Sequence, residues 1–156
     1  MEKKYKSNSQ TMIDLNTPIE QLNNLNQGTL MGHLGIEYLE TGDGFVFARM
    51  PVDNRTMQPA GILHGGSSLA LAETIGGLGS MLLVDNSIVD VRGSHISANH
   101  VRASNGKWVF GRAQLIHRGK NTHLWNIDIT DENDQLVSSC RLTNFLVPKN
   151  NGQAPL

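Results

Sequence analysis

A single cysteine, Cys140, stands in 156 residues, so no disulfide can form within the chain and the composition suits a reducing compartment. Cys140 lies in an apolar–polar run and reads as a strand residue rather than a nucleophile. Neither sign of charge is in excess. Thirteen Lys and Arg face fourteen Asp and Glu, for a net charge of −1, and no global field draws nucleic acid or an anionic membrane. Any anionic ligand must therefore be held by a local cluster of cations. Long apolar runs are missing too: the most apolar window, residues 67–84, is broken by Glu73, three glycines and three serines, which is too interrupted for a membrane span. Residues 1–10 are polar with Lys3, Lys4 and Lys6 and lack the apolar stretch of a secretory signal. The expectation is a cytoplasmic protein with neither nucleic acid nor membrane as partner. The histidines His33, His64, His95, His100, His117 and His123 form no helical metal motif. His95 and His100 differ by five (100 − 95) and face opposite sides of a strand, so no metal site is expected. No G-x-S-x-G context marks a nucleophilic serine.

What is present fits one domain. Hydrophobic residues are 38% and charged residues 17% of the chain, the balance of a globular protein with a packed core. Residues 1–15 are expected to be a flexible tail, 16–148 a single domain, and 149–156 a C-terminal tail. Thr17-Pro18-Ile19-Glu20 reads as a capping box with Thr17 at N-cap, opening a short helix through Leu22 and Leu25 that Gly28 ends. Two strands follow, at 35–40 and 45–50, joined by Thr41-Gly42-Asp43-Gly44, a strong turn signal. From His64 to about Val84 the pattern turns helical, with Leu71, Ile75, Leu78 and Leu82 on one ridge. Four more strands are expected, roughly at 88–102, 108–117, 124–130 and 136–147, in a meander punctuated by Asn105-Gly106 and the turn at 131–134. Trp125, Ile127 and Ile129 alternate with Asn126, Asp128 and Thr130, as in a half-buried antiparallel strand. The predicted class is α+β, one long helix against a broad antiparallel sheet. One helix cannot cover such a sheet, so self-association is expected.

The chemistry concentrates in Gln58-Pro59-Ala60-Gly61-Ile62-Leu63-His64-Gly65-Gly66 and the helix that follows. Paired glycines at a helix start let a ligand approach the backbone. The first N–H groups there are unpaired and sit at the positive end of the dipole, suited to an anion or a developing oxyanion. An ordinary turn would look the same. Glu73 sharpens the reading, because it is the only charged residue between His64 and Asp85, in a helix otherwise suited to burial. Its neighbours at +3, +4 and +7 are Gly76, Gly77 and Ser80, which leave a slot beside the carboxylate. Each interior glycine costs about 1 kcal/mol relative to alanine. The same slot would equally admit a closely packed strand or helix. Gly65 and Glu73 are eight positions apart (73 − 65), so they lie about 12 Å apart along the axis. If both act on one carbonyl, they must come from different subunits.

These segments resemble the hotdog-fold acyl-CoA thioesterases, in the branch of the phenylacetate-pathway (PaaI-like), 4-hydroxybenzoyl-CoA and 1,4-dihydroxy-2-naphthoyl-CoA thioesterases. The resemblance spans about residues 17–147 and rests on Met50-Pro51-Val52-Asp53, Gln58-Pro59, Leu63-His64-Gly65-Gly66, Leu71-Ala72-Glu73, Ala98-Asn99-His100-Val101-Arg102, His117-Arg118-Gly119 and Arg141-Leu142-Thr143. It implies a hotdog fold, a long central helix wrapped by a six-stranded antiparallel sheet. It implies Glu73 as nucleophile or general base, the Gly65 N–H as oxyanion donor, Gln58 orienting carbonyl or water, and His64 in the substrate pocket. His100, Arg102, Arg118, Gly119 and Lys120 become candidates for the CoA moiety, with Arg102 and Lys120 the leading cations. No cofactor is implied, since CoA is part of the substrate, and the assembly implied is a homodimer, paired further into a homotetramer. One departure stands out: the hydroxyl residue often found four after the glutamate is Gly77 here, with Thr74 and Ser80 as stand-ins or with a widened acyl pocket as the consequence.

A hotdog hydratase or dehydratase, using His64 with Glu73, and a non-catalytic acyl-CoA sensor are the rival readings. The Leu63-His64-Gly65-Gly66 context and the pairing of Gln58 with Glu73 favour a thioesterase.

Overall fold

The computed structural model describes residues 12–149. Its elements run α1 (Ile19–Asn24), α2 (Leu30–Leu34), β1 (Glu37–Gly42), β2 (Phe45–Pro51), α3 (Gly65–Met81), β3 (Val89–His100), β4 (Trp108–Arg118), β5 (Thr122–Thr130) and β6 (Leu136–Pro148). The alternation expected in β5 is realised: Trp125, Ile127 and Ile129 are each wholly buried, turned toward α3. The ridge of α3 meets them, with Leu71 and Ile75 also wholly buried and Leu78 and Leu82 nearly so. A six-stranded antiparallel sheet thus wraps one long helix.

The strand order is β1-β2-β4-β5-β6-β3, which corrects the expected four-strand meander. Only β4, β5 and β6 follow one another in space; β3 lies at the far edge, paired with β6 from Val89↔Pro148 to His100↔Ser138. Beyond its end the N–H groups of Val101 and Arg102 both donate to Val137 O, at 2.9 and 3.3 Å, holding the chain beside β6 before it crosses to β4. Periodicity marks a strand but carries no information about its neighbour, so this swap was invisible in the sequence.

The N-terminal region also departs from expectation. Thr17 does not cap α1: its hydroxyl accepts from Asp14 N at 2.9 Å and its own N–H donates to Asp14 O, so the local turn outcompetes the cap. Helix α1 starts after Pro18 without a side-chain cap. Helix α2 was missed, being only five residues long, too short for periodicity to register. Gly35, read as the start of a strand, ends α2 instead in the left-handed region at φ +69°, where a Cβ is disfavoured. Ile13, assigned to the tail, is buried in the core and its carbonyl accepts from Asn86 Nδ2 at 2.9 Å. Residues 1–11 of that expected tail, and 150–156 at the other end, lie outside the described residues.

The glycines of α3 divide into two groups. A Cβ at Gly76 would meet Leu142 Cδ2 at 2.6 Å, and one at Gly79 would meet the Trp125 ring at 2.5 Å. These two let the helix lie directly on the sheet. At Gly77 a Cβ would meet nothing within 4 Å; that glycine opens the other side. Because Trp125 is pinned through its indole N–H to Ser80 Oγ at 2.9 Å, it cannot yield. Gly79→Ala should therefore destabilise the fold by about 1–3 kcal/mol, whereas Gly77→Ala should be neutral or slightly stabilising; urea unfolding of both variants checks the contrast.

Candidate active site

The loop between β2 and α3 is fixed by backbone bonds. Gln58 N donates to Ile62 O at 2.9 Å, Leu63 N to Ser104 O at 2.8 Å and His64 N to Thr56 O at 2.9 Å. Gly61 supplies the tight return at φ +76°. This frame delivers Gln58 beside the first turn of α3. His64 is the N-cap of α3, extended at φ −75° and ψ 134°, and its Nδ1 accepts from Gly66 N at 2.8 Å. Its imidazole is exposed and serves the helix end, outside both cavities described below. In the single chain His64 thus caps the helix and lines neither cavity.

At that helix end lies a cavity of about 330 Å³ lined by Gln58, Gly65, Ser68, His100 and Arg102. Among the described residues the Gly65 N–H has no hydrogen-bond acceptor, as the first helical position dictates. A Cβ on Gly65 would stand 2.7 Å from His100 Nε2, so glycine is what allows the imidazole to lie against the helix start. On its other side His100 Nδ1 is 3.0 Å from the hydroxyl of Ser138, a residue with no solvent exposure.

A second cavity, of about 490 Å³, opens between α3 and the N-terminal helices. Leu22, Met31 and Leu78 supply apolar wall, and Glu73, Gly77 and Asn144 also line it. Glu73 is exposed in the single chain, because it points from the far face of an otherwise largely buried α3 toward edge strand β3. A Cβ at Gly93 would stand 2.8 Å from its Oε1. Gly77 and Thr74 border the same opening, whereas Gly76 and Ser80, the other two residues of the expected slot, do not line it. Tyr38 lines the wall too; burial pushes its phenol up to about 12, so Tyr38 adds no charge to it.

Ser80, the other suggested stand-in for a hydroxyl at 77, is excluded by its partners. Its Oγ receives the indole N–H of Trp125 at 2.9 Å and Asn144 Nδ2 at 2.9 Å, and lies 3.0 Å from His123 Nδ1. Two donors fill the hydroxyl's lone pairs, so its single proton goes to His123 Nδ1. Asn144 is fixed in orientation because the same Nδ2 donates to Gly76 O at 3.0 Å; its Oδ1 is buried and has no hydrogen-bond partner among the described residues. Burial, then the positive charges of Arg118 and His117, hold the His123 pKa below its ordinary value. The folded state therefore resists protonation that the unfolded chain accepts near pH ~6.5. Stability from this group is complete above that pH and is lost as pH falls toward the lowered value. Thermal unfolding between pH 8 and 5 should show this decline, and His123→Gln should flatten it.

Arg118, Gly119 and Lys120 sit at the β4–β5 hairpin, at the C-terminal end of α3. Arg118 Nη2 donates to Leu83 O at 3.1 Å and its Nη1 lies 3.6 Å from Asp43; Lys120 is exposed. Arg118 pairs with His123 across the sheet, while His100 pairs with Ser138 and Ser138 with Ile129. Six strand positions (129 − 123) separate the two levels, about 20 Å. One chain therefore brings together Gln58, Gly65, His100 and Arg102, sets Glu73 and Gly77 apart along α3, and carries Arg118, Gly119 and Lys120 at the opposite end. Ser138 and Asn144 were missed by sequence reading. The available signal was parity: Ser138, Cys140, Leu142 and Asn144 alternate inward along β6 and are all buried, and two of them are polar.

The family model described as Thioesterase superfamily matches residues 60–138. The chain belongs to the thioesterase superfamily. It is 45% identical over 129 residues to the proofreading thioesterase EntH of Cronobacter turicensis, covering 83% of this chain and 93% of that one. It is 40% identical over 129 residues to 1,4-dihydroxy-2-naphthoyl-CoA hydrolase of Escherichia coli, covering 83% and 94%. The crystal structure of a thioesterase from Haemophilus influenzae superposes with a TM-score of 0.85 at 40% identity, over 91% of this chain and 99% of that one. The fold is thus the hotdog fold of thioesterases, and this protein is a thioester hydrolase. Hotdog thioesterases are generally oligomeric. Among the described residues no helix is long and apolar enough to cross a membrane.

Proposed function

We propose that this thioesterase hydrolyses a small acyl-CoA, aromatic acyl groups included, to the free acid and CoA, at a site shared between two subunits. Glu73 of one chain attacks the thioester carbonyl or activates water. The Gly65 N–H of the other, with Gln58 and His100 beside it, receives the oxygen. The observation that carries this reading is the separation itself: an unpaired N–H in one cavity and a carboxylate at the mouth of another, about 12 Å apart along one helix. A two-fold pairing resolves it. Strand β3 ends the sheet with its outer edge unpaired among the described residues, and such an edge favours pairing with another strand. His100 and Gly93 both lie on β3, the first against Gly65 and the second against Glu73. Antiparallel pairing of β3 with its copy reverses the strand and brings the His100 end of one protomer toward the Gly93 end of the other. The same reversal brings Arg102 toward the hairpin carrying Gly119 and Lys120 of the second chain, so that Arg102 and Lys120 hold CoA phosphates from both sides. Arg118, already engaged with Leu83 and Asp43, shapes that hairpin.

The chemistry needs little else. A thiolate leaves readily near neutral pH, so a base or nucleophile, an oxyanion donor and positioning suffice. CoA enters as part of the substrate, no cofactor takes part, and the dimer pairs again into a tetramer in the cytoplasm. Gly77 opens the acyl side of the site. A panel of acyl-CoA and acyl-carrier-protein thioesters with free-thiol detection tests the proposal: release from at least one short or aromatic acyl-CoA is expected. Binding of CoA with no release from any member of the panel would make the chain a sensor instead.

A further inference from the structure

Ser138 is buried on β6, and its hydroxyl faces two groups, His100 Nδ1 at 3.0 Å and Cys140 Sγ at 3.5 Å. A serine hydroxyl has one proton to give and two lone pairs to offer. Sulfur is a weak acceptor, imidazole nitrogen a good one. The favourable arrangement therefore runs in one direction: the Cys140 thiol donates to Ser138 Oγ, and the Ser138 hydroxyl donates to His100 Nδ1. The thiol keeps its proton for this purpose, since burial pushes its pKa up. The opposite direction would leave the hydroxyl proton on sulfur. In a neutral imidazole one nitrogen carries hydrogen and the other accepts, so occupation of Nδ1 as acceptor leaves the hydrogen on Nε2. That nitrogen is the one lying against Gly65, in the cavity that also holds Gln58 and Arg102.

We propose that Ser138 is a positioning residue: its hydroxyl fixes His100 as the Nε2–H tautomer, aimed into the cavity as a second donor beside the Gly65 N–H. This rests on the shared-site reading above. The serine touches no substrate. It acts through the histidine, by holding both the ring's rotation and the location of its proton. A donor preset in this way needs no reorganisation when charge develops on the carbonyl oxygen.

The test has two arms. Two-bond proton–nitrogen correlation on labelled wild-type protein, at a pH where His100 is neutral, reads which ring nitrogen carries the hydrogen; hydrogen on Nε2 is expected, and hydrogen on Nδ1 overturns the proposal. In the second arm Ser138→Ala should lower kcat about 3- to 10-fold with KM little changed, as befits loss of one neutral hydrogen bond acting in the transition state. It should also mix the two tautomers, and Ser138→Thr, which keeps the hydroxyl, should restore both. An unchanged kcat together with an unchanged tautomer in a folded Ser138→Ala overturns the proposal. If either variant does not fold, the wild-type spectrum decides alone. The tautomer measurement uses no substrate, so it stands apart from any failure of the shared-site chemistry, which Glu73 variants report.

Discussion

Replacement of Glu73 by alanine is expected to lower kcat by about 10²–10⁴-fold, the usual scale for loss of a positioned acid–base group, while leaving the fold intact. The structural side of that expectation comes from exposure. Glu73 lies on the side of α3 that faces edge strand β3, exposed in the single chain, and among the described residues no hydrogen bond or salt bridge ties it to the core. Its removal leaves Leu71, Ile75 and Leu78 in place against β5 and neighbouring strands. Thiol release measured under saturating acyl-CoA, alongside thermal unfolding, separates the two effects. Turnover at the wild-type rate would remove Glu73 from the mechanism.

Gly65→Pro is expected to lower kcat by about 10²–10³-fold, the scale for loss of one oxyanion donor. The substitution suits the helix better than a proline ordinarily would. Gly65 is the first residue of α3 and its N–H has no intrahelical partner. His64 is already extended at ψ 134°, as a residue preceding proline prefers. The new Cβ would lie 2.7 Å from His100 Nε2. Gly65→Ala separates the two contributions, because it creates the same collision but keeps the N–H. A smaller loss in Gly65→Ala than in Gly65→Pro assigns the difference to the donor.

Much of this site was legible because it breaks a pattern. A lone carboxylate in an apolar helical periodicity, glycines at a helix start and a glycine four after the acid all violate what packing alone would select, and the structure shows where each one lies. The glycines of α3 were legible as a group but not individually. Gly76 and Gly79 serve packing against Leu142 and Trp125 while Gly77 faces open space, and only the partner side chains distinguish them. The exposed position of Glu73 was not legible, because a helix that is apolar nearly all round does not reveal how its faces divide between sheet and solvent. The place of β3 was not legible for a related reason: alternation tells which face of a strand is inward, never which strand lies beside it. Thr17 was misread because Asp14, three residues before it, offered a competing turn. Ser138 and Asn144 passed unnoticed because a polar residue in a strand looks solvent-facing until its parity with Cys140 and Leu142 is counted.

The measurement that bears most directly on the shared site is activity after mixing two inactive chains. Glu73→Ala and Gly65→Pro subunits, each confirmed folded and each inactive alone, are dissociated, combined in equal amounts and reassociated. If one catalytic centre draws its carboxylate and its oxyanion donor from different protomers, half of the random dimers are mixed and each carries one intact centre, so about a quarter of wild-type activity should return. Mixtures whose subunits demonstrably exchange yet stay as inactive as their parents would contradict the account.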